Sequence, residues 1–181
     1  MNELQPINFL LPVIALLLVV LLYILLLKKV SDKAVFNRFI FIILLIAFLL
    51  NFAWEVLQMP LYKDASFDIQ HIAFCGLASV ADAIMVLLLY FVFATIYKQP
   101  FWIKNINIQR TLISIVIGGV AAILAEMRHL SQGSWAYAPS MPILPFVNAG
   151  LSPVLQFMLL PVLSYYLSFY FLKKNYGSQT N

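Results

Sequence analysis

Charge is scarce in this chain. Only 10% of its 181 residues are Asp, Glu, Lys or Arg, while 64% are hydrophobic. An average soluble domain is about 25% charged and about 45–50% apolar, so a soluble fold of this length would lack the charge to cover its surface. The same figures, together with 15% aromatic residues, exclude a disordered chain. A single cysteine, Cys75, excludes an internal disulfide and paired-cysteine zinc sites. Serine-nucleophile elbows, Walker phosphate loops and Rossmann glycine fingerprints are missing too, which argues against energy coupling to nucleotides. The alternation of apolar and polar residues that marks a membrane β-barrel is absent, and no internal repeat is visible.

What the chain does have is long apolar runs. A helix crossing the roughly 30 Å hydrocarbon core needs about 20 residues. Five segments qualify, at 7–27, 39–59, 71–97, 110–130 and 151–172. They predict an all-α integral membrane bundle of five transmembrane helices forming one domain over 1–181. Before the first run the only charged side chain is Glu3, and Lys28 and Lys29 follow it, which suits a retained helix rather than a cleaved secretory signal. Of the 11 basic residues, Lys28, Lys29, Lys33, Arg38, Lys98, Lys104, Arg110, Lys173 and Lys174 fall on one side, and only Lys63 and Arg128 on the other. The positive-inside rule then puts the N-terminus outside and the C-terminus in the cytoplasm, with a bacterial inner membrane as the expected location. The net charge of +4 reads as anchors facing anionic lipid heads, and no nucleic-acid partner is expected because no separate basic face exists.

Orientation turns position into depth. At 1.5 Å per residue, Glu55, Cys75 and Glu126 lie about 6 Å below the outer boundary, Asn51 about 12 Å and Asp82 about 16 Å. Helical spacing also aligns the polar residues into stripes: Asn51, Glu55 and Gln58; His71, Cys75, Ser79 and Asp82; Asn148, Ser152 and Gln156. On the fourth helix Gly119, Ala122 and Glu126 share a face, and the Gly118–Gly119 pair permits close helix contact. These stripes are expected to face one another in the bundle interior, since ionisable groups in lipid are costly. Asn51, Gln58, Ser152 and Gln156 could simply tie helices together. The carboxylates call for more, because no Lys or Arg lies at matching depth to neutralise Glu55, Asp82 or Glu126. The candidate catalytic residues are therefore Glu55, Glu126, Asp82 and His71. The candidate ligand-binding residues are Asn51, Gln58, Trp135, Tyr137, Asn148 and Gln156.

From Leu130 to Leu172 there is no charge at all. The part not needed for a helix, 131–150, is too apolar to float in water. Pro139, Pro142 and Pro145 recur every third residue and predict an extended, polyproline-like segment, and Pro161 predicts a kink in the fifth helix. Trp135 and Tyr137 suit the headgroup level. The segment reads either as an interfacial anchor or as a lid over the outer half of the bundle. Two acid-x-x-His pairs, Asp68 to His71 and Glu126 to His129, match half of a di-iron carboxylate pattern. With the rest of that pattern missing, no metal or other cofactor is expected.

Two blocks carry a resemblance. Trp135-x-Tyr137-x-x-x-Met141-Pro142-x-x-Pro145, followed by Gly150-Leu-x-Pro-x-x-Gln156, resembles small bacterial multi-pass membrane proteins of unassigned function, as does Trp54-Glu55-x-x-Gln58-x-Pro60-Leu-Tyr62. The arrangement is also distantly similar to carotenoid-modifying membrane proteins, in which an intramembrane Glu precedes a Gly/Trp/Tyr-rich outer loop. That family's acid-pair motifs are not matched, so no catalytic residue is carried over. The resulting expectation is a protein that binds or modifies a hydrophobic, isoprenoid- or carotenoid-like molecule in an outer-leaflet cavity. If an enzyme, it would use metal-free acid–base chemistry of the isomerase, cyclase or hydratase type. The partners would be membrane lipids and that small molecule, with the oligomeric state open. The alternatives are a proton- or cation-coupled transporter component and a membrane assembly or scaffold subunit.

Overall fold

The structure, a computed structural model, describes residues 10–177. The expected start of the first helix at residue 7, together with Glu3, lies outside the described residues. Five helices follow in order: α1 (Leu10–Leu27), α2 (Lys33–Gln58), α3 (Ile69–Ile96), α4 (Ile108–Ser131) and α5 (Leu151–Gly177). Short 3₁₀ turns stand at Met59–Leu61 and Trp102–Asn105. Among the described residues there is no β-strand, only two isolated bridges. Four helices, α2 to α5, are long and apolar enough to cross a membrane; in α1 the corresponding apolar stretch is the shorter Val13–Leu27. This is the build of an integral membrane protein.

Three of the helices begin at side-chain caps. Asp32, Asp68 and Asn107 each accept a hydrogen bond at 2.9 Å from the backbone N–H three residues on, at Val35, His71 and Arg110. Such caps satisfy amides that have no partner inside the helix. They move three expected boundaries, the start of α3 from 71 to Ile69 among them. Helix α2 starts at Lys33 rather than 39, so Lys33 and Arg38 sit in its first turns and not in a loop. Helix α4 starts at Ile108 rather than 110. At the other terminus α5 continues past 172, making Lys173 and Lys174 helical, and it runs on through Pro161. Hydropathy locates where a helix is apolar; the caps decide where it begins.

The packed helix pairs are α2–α3, α2–α5, α4–α5 and α1–α3, with a lighter touch of α3 on α5. The contacts therefore link the helices in the order α1–α3–α2–α5–α4, with α2 in the middle. Helices α3 and α4 do not pack as a pair. The α4–α5 contact is backbone on backbone: a Cβ added at Gly118 would meet the carbonyl oxygen of Phe157 at 2.1 Å. Only glycine permits that approach.

The two ends of the bundle differ. The end holding the α1–α2 and α3–α4 connections carries nine of the basic residues. It is closed by a cluster of fully buried aromatics that includes Phe36, Phe39, Tyr90, Phe93, Trp102 and Tyr165. Tyr90 lies 5.5 Å from Phe39, 5.5 Å from Trp102 and 5.2 Å from Tyr165, ring centre to ring centre. Each polar tip finds a carbonyl: Tyr90 donates to Pro100, Trp102 to Tyr90 and Tyr165 to Val86, as buried Tyr and Trp require. The opposite end, where α2 and α4 finish and α3 and α5 start, holds the polar side chains and the 131–150 loop.

Candidate functional site

Gln156, on the second turn of α5 and 1% exposed, is the centre of the polar network. Its Nε2 donates toward three oxygens from two helices: Asn51 Oδ1 at 2.9 Å and Glu55 Oε1 at 3.0 Å on α2, and Asp82 Oδ2 at 3.1 Å on α3. The amide orientation is dictated, since turned over it would set its own oxygen against two carboxylates. Gln58 Nε2 donates to Glu55 Oε1 at 2.9 Å and to Gln156 Oε1 at 3.1 Å. Ser152 donates to Gln58 Oε1 at 2.8 Å and accepts from Trp54 Nε1 at 3.3 Å. Asn51 spends its own N–H on the carbonyl of Ala47 at 2.8 Å.

Counting donors against acceptors exposes an imbalance. An amide nitrogen has two hydrogens, and that of Gln156 faces three acceptors, two of them carboxylates. No Lys or Arg comes to the rescue: among the described residues the single ion pair is Asp68 with His71, at 2.8 Å. With both carboxyls ionised, the network is short of hydrogens and of positive charge.

Glu126 has hydrogen-bond partners of its own, within electrostatic reach of Glu55 and Asp82. It is 7% exposed, and its Oε2 accepts from the Tyr137 hydroxyl and from Trp135 Nε1 at 3.3 Å. Tyr137 in turn accepts from the N–H of Gly150 at 2.8 Å. A Cβ at Gly150 would stand 2.9 Å from the Met141 sulfur and 3.0 Å from the Tyr137 ring, so glycine there lets the phenol seat. Burial first, and then the hydrogen bond given to Glu126, hold the Tyr137 phenol above its usual pKa. Burial and the neighbouring carboxylates do the same for Tyr62. Both remain donors at neutral pH.

The 131–150 segment is not a polyproline strand. It is a set of turns clasped to the α2–α3 loop: Lys63 N–H donates to the Ala136 carbonyl at 2.8 Å, and Ala138 N–H to that of Leu61 at 2.9 Å. A small hairpin closes at Ile143 and Gly150, with Phe146 and Asn148 held at positive φ of 72° and 51°. The Tyr62 ring lies 5.7 Å from Tyr137 and 6.4 Å from Trp135, and His129 stacks on Trp135 at 4.3 Å. The loop thus folds back over Glu126 as a lid.

Of the expected site residues, Asn51, Glu55, Gln58, Asp82 and Gln156 come together, and Trp135 and Tyr137 join Glu126. Gln156 joins Glu55 to Asp82, while Glu126 accepts from Trp135 and Tyr137. Two expectations change. His71 stands apart, its Nδ1 on Asp68 Oδ2 with Ser66 alongside, in a cap whose hydrogen bonds, chiefly from Ser66, hold the Asp68 carboxyl low. Asn148 is an exposed turn residue rather than part of the α5 stripe. Trp54, Ser152, Tyr62 and Gly150 are additions. Ser152 belongs to the α5 stripe, and Trp54, Tyr62 and Gly150 to the two resemblance blocks, whose pattern does not say which distant segments they touch. No group of three or more His, Cys, Asp or Glu able to hold a metal occurs among the described residues. Set against known proteins, the chain matches no family, no curated protein and no solved structure.

Proposed function

We propose that this protein binds a hydrophobic, lipid-like molecule in the half of the bundle beneath the lid. The molecule's polar end is neutral and hydrogen-bond-donating, or positively charged. The carrying observation is the hydrogen-poor hub at Gln156, where Glu55 and Asp82 share one amide and have no cation. An anionic head would add to the like charge; a hydroxyl or ammonium would supply what is missing. Exposed apolar side chains on the outside of the bundle, such as Met85 on α3 and Val116 on α4, suit contact with a long hydrocarbon tail. An isoprenoid- or sterol-like alcohol fits this description, and the carboxylates are of the kind that transfer protons to such a molecule.

The positive-inside rule places the lid outside and the basic end in the cytoplasm, in keeping with a bacterial inner membrane. A proton or cation relay draws less support, because the half below Asp82 is filled by the aromatic cluster around Tyr90. Gentle detergent purification followed by mass spectrometry tests the proposal. The wild type is expected to carry a neutral or cationic lipid-like molecule, and Glu55→Gln with Asp82→Asn is expected to lose it. The added amides supply hydrogens and remove charge, so the double variant should be at least as thermally stable as the wild type. An empty wild type, or equal loading of both proteins, refutes the reading.

A further inference from the structure

The basic end has a feature the hub does not explain. A cleft of about 380 Å³ opens between the α1–α2 turn and the α3–α4 connection. Its walls bring together Lys29 and Ser31 from one side and Phe101 and Lys104 from the other, with Val35 and Asp32 at the start of α2. Lys104 is held there by its own neighbour, its Nζ lying 4.9 Å from the centre of the Phe101 ring. Asp32 does not cancel the two lysines on equal terms, because its carboxylate is engaged in capping Val35 and sits at the positive end of a 26-residue helix. A second cleft, of about 280 Å³, lies on the other side of the same Lys104. It is lined by Tyr166, Phe169, Tyr170, Ile106 and Lys173, an aromatic groove with a cation at its rim.

We infer that this end binds an anionic glycerophospholipid, its phosphate held between Lys29 and Lys104 and an acyl chain laid in the groove beside Tyr166, Phe169 and Tyr170. A phosphate oxyanion suits two ammonium groups and a serine hydroxyl lining one cleft. The aromatic groove distinguishes a lipid from a free phosphate, which has no use for an apolar surface. Basic pockets between membrane helices take anionic headgroups for this same reason.

Native mass spectrometry of the full-length protein in detergent decides the matter, with phosphatidylglycerol and phosphatidylcholine of identical chains offered in equal amounts. The wild type should retain phosphatidylglycerol about tenfold over phosphatidylcholine. Lys29→Gln with Lys104→Gln should abolish the preference. Lys104→Arg should preserve it, as should Lys28→Gln with Lys98→Gln, which removes as much charge from the same end outside the cleft. Thermal unfolding of each variant confirms that it is folded. Equal retention of the two lipids by the wild type, or an equal loss of preference in the Lys28/Lys98 variant, overturns the site. Displacement of phosphatidylglycerol by millimolar inorganic phosphate overturns the lipid as its occupant.

Discussion

Gln156 has two hydrogens to give and three oxygens before it, and much of this molecule's chemistry follows from that shortfall. Tyr137 shows the opposite condition, since it is fully used, donating to Glu126 and accepting from Gly150. Tyr137→Phe should leave the Gly150 N–H without its acceptor and Glu126 with Trp135 alone, at a cost of about 1–3 kcal/mol. Faster hydrogen exchange at the Gly150 amide would show that the lid has loosened; unchanged exchange would deny Tyr137 its role. The sign with pH is fixed by a phenol whose pKa is raised on folding. Its contribution is fully present below the ordinary tyrosine value of about 10 and is lost only as pH rises through the higher folded value. The stability gap between wild type and Tyr137→Phe should therefore hold constant from neutral pH to about 10. At this scale the sequence singled out three carboxylates toward one end of the bundle, but not the bridge that Gln156 makes from Glu55 to Asp82. Depth along a helix can be counted from residue number, which puts Glu55 and Glu126 at one level. Which helix stands beside which cannot be counted, and α5 brings Gln156 to Glu55 and Asp82.

At the scale of helices, the glycine positions discriminate best. Gly118→Ala forces a methyl group into the backbone of α5 at Phe157 and should destabilise the protein by about 3 kcal/mol. Gly76→Ala, whose added carbon would lie 3.8 Å from the Phe52 ring, should be tolerated. Thermal unfolding of the two variants side by side measures the difference, and equal effects would mean that α4 and α5 are not in close contact. The Gly118–Gly119 pair announced this contact in the sequence because small residues have few other uses in an apolar helix. The lid was harder to read. Its three evenly spaced prolines imitate an extended segment, while the clasp that bends it is made by backbone groups of Leu61, Lys63, Ala136 and Ala138, whose pairing leaves no mark on side-chain pattern.

At the scale of the whole molecule, scarcity of charge set the class and its distribution set the expected orientation. With Cys75→Ala as background, Ser140→Cys in the lid should react with a membrane-impermeant maleimide added outside intact cells. Asn105→Cys at the basic end should react only after permeabilisation, and the reverse pattern would invert the topology. The central claim, a hydrogen-poor polar site that takes a lipid-like molecule with a neutral or cationic head, has reporters built in. Trp54 and Trp135 sit in the two halves of the site, while Trp102 lies buried in the aromatic cluster at the other end. The most direct measurement is tryptophan fluorescence during titration with a long-chain alcohol, amine and carboxylate of one chain length. The account predicts saturable changes with the alcohol and the amine, abolished in Glu55→Gln with Asp82→Asn, and none with the carboxylate. Saturable binding of the carboxylate as tight as that of the alcohol, or no saturable response to any of the three, would contradict it.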